Sequence, residues 1–217
     1  MKTDTELQTD VLAELKWEPA VNAAHIGVSA TQGVVTLSGH VLSYAEKYSA
    51  ERATERVYGV KAVANELDVK LAGGSKRTDE DIATACVSAL KVNYSVPDEK
   101  IKSVIRNGWV TLDGEVEWQY QRNAAESSVR NLTGVVGVTN NLAVKPQVSS
   151  SDVKGKIEAA FQRSAVIDAR RIGVEVRDGK VILHGSVQSS AERHQAQQAA
   201  WAAPGVSAVQ NDITVAP

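Results

Sequence analysis

Four histidines, one cysteine and a run of three carboxylates are the residues that could do chemistry in this 217-residue chain. His25, His40, His184 and His194 show neither the i, i+4 spacing of a helical metal site nor the tight spacing of a strand site, so no metal role is read from them. Cys86 is alone, which excludes an internal disulfide and a cysteine-based zinc site. It falls at an apolar position of a helical pattern, where a thiol behaves as a small hydrophobe. Asp79, Glu80 and Asp81 stand where a helix begins and favour its dipole, the ordinary use of such a run. No glycine-rich phosphate loop is present, and no serine or cysteine has a base placed beside it by sequence. The chain therefore reads as non-enzymatic, with no catalytic residue, cofactor or metal.

Composition narrows the partners. Net charge is −2 and aromatic content 5%, so no global positive field draws nucleic acid or an anionic membrane. No apolar stretch is long enough for a secretory leader or a membrane span. As given, the sequence points to the cytoplasm, and to the periplasm if a leader has been removed.

The elements that must position any site come in threes. The segments Gly33 to Val41, Gly108 to Val116 and Gly179 to Val187 align without a gap as Gly-x-Val-x-Leu-x-Gly-x-Val, with Ile182 where the first two copies carry Thr36 and Thr111. Gly39, Gly114 and Gly185 are each followed twenty residues later by Gly59, Gly134 and Gly205, and then by Asn65, Asn140 and Asn211. Length differences fall only in the linkers, around Leu71 to Arg77 and Lys145 to Ser150. Domains are expected over 1–72, 76–147 and 149–217.

Each copy begins with a helix carrying a four-residue stripe: Leu7, Val11, Leu15; Ile82, Cys86, Leu90; Val153, Ile157, Phe161. Two alternating strands follow, joined at Gln32-Gly33, Asn107-Gly108 or Asp178-Gly179, the signature of a type I′ hairpin turn. A second helix opens with the capping boxes Ser43/Glu46 and Ser189/Glu192. Its expected buried stripe is Ala50, Ala53, Val57; Ala125, Ser128, Leu132; Ala196, Ala199, Ala203. Gly59, Gly134 and Gly205 suit its C-terminus, and a last strand closes the unit. The fold class is α+β: three tandem α-β-β-α-β domains, each a three-stranded mixed sheet with two helices packed on one face.

The hairpin, the helix ending in Val-x-Gly-Val and the closing Val-x-Asn-x-[Leu/Ile]-x-Val together resemble the BON domain family, named for bacterial osmotic-shock and nodulation proteins. The resemblance spans nearly the whole chain. It implies a bacterial, non-enzymatic module associated with osmotic or envelope stress and with transport, and proposed to contact phospholipid surfaces. It supplies no catalytic residue to carry over.

Candidate contacts lie on the outer faces. Lys47, Arg122 and Arg193 share one position in the first turn of the second helix, where a cation opposes the dipole. They read either as headgroup contacts or as helical partners of residues such as Glu51 and Glu126. Trp109 on the outer sheet face, Trp118 and Tyr120 at the start of the middle unit's second helix, and Trp201 on an otherwise charged helix face suit a membrane interface or packing between domains or protomers. Net charge runs −3, 0 and +1 over residues 1–72, 73–148 and 149–217. Arg170 and Arg171, with Arg163, make the third unit the expected site for an anionic lipid. The expected partner is membrane phospholipid or an envelope protein, bound peripherally. The alternative is a soluble oligomer-forming scaffold or a small-molecule carrier.

Overall fold

A computed structural model describes residues 2–145, 152–164 and 167–216. The element order is helix, two strands, helix, strand, three times over. The first module comprises α1 (Asp4–Trp17), β1 (Ile26–Thr31), β2 (Val34–Val41), α2 (Tyr44–Arg56) and a last strand in two pieces, β3 (Ala62–Asn65) and β4 (Asp68–Val69). The second comprises α3 (Asp79–Val92), β5 (Ile101–Arg106), β6 (Trp109–Val116), α4 (Gln119–Arg130) and β7 (Gly137–Val144). The third comprises α5 (Val153–Arg163), β8 (Ile172–Arg177), β9 (Lys180–Val187), α6 (Ser190–Trp201) and β10 (Ala208–Val215).

In each module the middle strand pairs antiparallel with its hairpin partner and parallel with the last strand, giving a mixed sheet. Registers are equivalent: Ile26 faces Gly39, Ile101 faces Gly114 and Ile172 faces Gly185. In the first module the last strand keeps the same register but is interrupted at Glu66 and Leu67, a difference for which no physical cause is evident.

The local causes are those the sequence dictates. Gln32, Asn107 and Asp178 have φ of 53°, 51° and 48°, each followed by a positive-φ glycine, as a type I′ turn requires. The helix before the hairpin braces the turn in two modules: Asp4 accepts from the Gln32 N–H, and Asp79 accepts from those of Asn107 and Gly108. Thr3/Glu6 and Thr78/Asp81 form reciprocal capping boxes that the sequence reading had not picked out. Ser43/Glu46 and Ser189/Glu192 cap as expected. Lacking that serine, α4 uses the Gln121 side chain to accept from the Glu117 and Trp118 N–H groups.

Helix-one residues at the three predicted stripe positions are all buried. The second helix differs from expectation. Of the expected stripe, Ala50, Ala53, Val57, Ala125, Ala196 and Ala203 are buried, whereas Ser128, Leu132 and Ala199 are half-buried and Thr54, Val129, Glu192 and Ala200 are buried in addition. Thr54 is tolerated inside because its hydroxyl donates to the Ala50 carbonyl.

Packing divides the chain into two compact units: Met1–Gly39, Ser49–Glu66 and Pro146–Pro217 in one, and His40–Tyr48 with Leu67–Lys145 in the other. In the first, the third module's core gathers Ile157, Phe161, Val181, Leu183 and Ala196, with Trp201 against its edge. In the second, the middle module's core is built on Ile82, Cys86, Val110, Leu112 and Val129, and Tyr44 packs against it. The first predicted linker contains one 3₁₀ turn at Gly73–Ser75; most of the second lies outside the described residues.

Candidate functional site

The recurring basic position is a structural staple. Lys47 Nζ donates to the Leu67 carbonyl at 2.8 Å, Arg122 to the Asn140 carbonyl at 2.7 Å, and Arg193 to the Asn211 carbonyl at 2.9 Å. Arg122 and Arg193 thereby tie the start of the second helix to the last strand of the same module, and Lys47 ties it to the gap between β3 and β4. The repeated asparagine completes the tie: Asn140 donates to the Arg122 carbonyl and to Glu126, and Asn211 to the Arg193 carbonyl and to Gln197. Asn65 donates to Glu51. Neither the headgroup reading nor the helical-pair reading anticipated this. The carboxylates expected as partners of the cations bond the asparagines instead.

Aromatic residues fall into two groups. Trp109 is 48% exposed, lies over Gly137 of the neighbouring strand and donates its indole N–H to Thr139 at 2.8 Å. Tyr120 is 57% exposed, with the Trp118 ring centroid 6.5 Å away. Trp201 is partly buried against its own module's core, so it does not stand on a solvated helix face. Sequence reasoning passed over Trp17, 83% exposed at the end of α1, and the fully exposed Tyr94 beyond α3. The available signal was positional: Trp17 aligns with Val92 and Arg163, a site where a module accepts an arginine and therefore solvent.

Of the third module's arginines, Arg163 and Arg170 are exposed, while Arg171 is half-buried and donates to Ser186. The histidines are scattered: His184 lies across Gly173, and His194 shares a contact with Gln198 at 2.9 Å. Burial and then the nearby Arg52 charge hold His194 below its ordinary range. Among the described residues no group of three or more His, Cys, Asp or Glu side chains could hold a metal ion. Burial pushes the Cys86 thiol up to about 11, which keeps it protonated and unreactive at neutral pH.

Three small α+β blocks with filled cores, stapled helix to closing segment, define a tandem-repeat protein. The chain belongs to the BON domain family, whose pattern matches residues 3–70, 78–146 and 149–217. It is 34% identical over 146 residues to the osmotically-inducible protein Y of Escherichia coli strain K12, covering 65% of this chain and 73% of that protein. It is 33% identical over 125 residues to a 21 kDa hemolysin of Actinobacillus pleuropneumoniae, covering 57% of this chain and 61% of that one. Of solved structures, the C-terminal domain of CdsD, a structural protein of the Chlamydia trachomatis type III secretion system, covers 100% of both chains at 15% identity. Its TM-score of 0.27 carries no argument.

Proposed function

We propose that this protein is a non-enzymatic, stress-associated bacterial binding protein that meets phospholipid surfaces or envelope components through its three modules acting together. The observation that carries the reading is the set of large aromatic side chains left in solvent by modules whose cores are closed: Trp17, Tyr94, Trp109 and Tyr120. The osmotically-inducible relative supports a stress-related role. No described helix is long and apolar enough to cross a membrane, in keeping with peripheral contact. Linking weak sites in one chain raises their combined affinity through effective concentration.

Sedimentation with anionic phospholipid vesicles tests this. At low salt the intact chain is expected to pellet with the vesicles, and Trp17→Ser with Tyr120→Ser to reduce the bound fraction several-fold. An intact chain that stays in the supernatant at low salt contradicts the membrane reading.

A further inference from the structure

Within the compact unit that joins the first and third modules, Ser190 at the start of α6 donates its hydroxyl to the Val60 carbonyl at 2.9 Å. A cavity of about 280 Å³ opens beside this joint. From the first module it is lined by Glu55 and Lys61, and from the third by Arg193, His194, Gln197 and Asn211.

The charges do not balance inside it. Glu55 feels the Arg193 charge, but its ion pair is with Arg52 at 2.7 Å. Glu51, the other carboxylate near Glu55, accepts from Asn65. Among the described residues neither Lys61 nor Arg193 has a carboxylate within 4.0 Å. Arg193 spends one Nη on the Asn211 carbonyl, and its Nε–H is buried without an acceptor, as is that of Arg122 at the matching position of the middle module. Lys61 and the Arg193 guanidinium therefore present positive charge to the cavity with no carboxylate bonded to either, and an oxyanion is the group a guanidinium binds best.

We infer that the cleft between the first and third modules is a binding site for a phosphate group, held by Lys61 and Arg193 with the polar edge of α6 around it. His194 supports this: burial and Arg52 disfavour its charged form, with Glu55 and Arg193 also near, and a bound oxyanion reverses the repulsion. The ligand is either free phosphate or the phosphate of a lipid headgroup. The inference does not depend on the membrane reading.

Inorganic phosphate is titrated into the full-length ¹⁵N-labelled chain, with chloride keeping ionic strength constant. The expected result is saturable shifts confined to residues 61–63 and 190–197, a His194 titration that moves upward in phosphate, and about fivefold weaker binding in Lys61→Gln. Lys61 is exposed, so its replacement leaves the fold intact. Shifts that never saturate and follow surface lysines everywhere, or equal affinity in Lys61→Gln with an unmoved His194, overturn the site. A second arm adds anionic vesicles. Competition by free phosphate identifies the headgroup as the source, and vesicle binding indifferent to phosphate identifies the free ion. Vesicle binding without a cleft signal leaves the membrane reading standing and ends this one; the reverse outcome does the opposite.

Discussion

Gly114→Ala is expected to unfold the middle module. Gly114 has φ of 142°, and the Lys100 carbonyl crosses so close that an added Cβ would collide with backbone on the opposing strand. Backbone cannot swing aside as a flexible side chain does, and the positive φ adds its own strain, so the cost is at least about 3 kcal/mol. A module of this size has a net stability of only about 3–5 kcal/mol, so most or all of the margin is consumed. Amide spectra are expected to lose dispersion over Ile82 to Val144. Gly74→Ala, where nothing lies within 4 Å of the new methyl, serves as the silent control. The same geometry recurs at Gly39 over His25 and Gly185 over Arg171, which explains why the second glycine of the hairpin is present in all three copies.

Arg122→Met is expected to lower the stability of the middle module by about 2 kcal/mol while leaving vesicle binding by the folded protein unchanged. The guanidinium donates to the Asn140 carbonyl across the helix–strand boundary, and methionine fills similar space without replacing the bond. Chemical denaturation followed by the middle module's amides measures the loss. If Arg122 were a headgroup contact, the pattern would reverse: stability would barely move and the bound fraction would fall. The bonds from Lys47 and Arg193 predict a similar loss of stability in their own modules.

The fold was legible because its determinants are local and repeated. A two-residue turn at Asn107-Gly108, a four-residue apolar stripe at Ile82, Cys86 and Leu90, and a Ser189/Glu192 cap each declare themselves within a few residues. The staples were not legible, because the Arg122 carbonyl acceptor lies eighteen residues away on another element and nothing nearby marks it. Side-chain class misled in the same way. Thr54 is fully buried although polar, since its hydroxyl is satisfied by its own helix, while Trp17 is exposed although aromatic, since it falls off the buried stripe. Trp201, where other copies carry Glu55 and Arg130, read as a surface residue, yet it packs against the edge of its own core. The cleft beside Ser190 was invisible because it is assembled from modules separated by most of the chain.

The central claim is that each stretch of the repeat specifies a complete small domain. Residues 76–147, expressed alone, test it most directly. The account predicts a dispersed amide spectrum and one cooperative thermal transition, at somewhat reduced stability because Tyr44 no longer covers part of its core. A chain that stays disordered at low temperature, or melts without cooperativity, would contradict it.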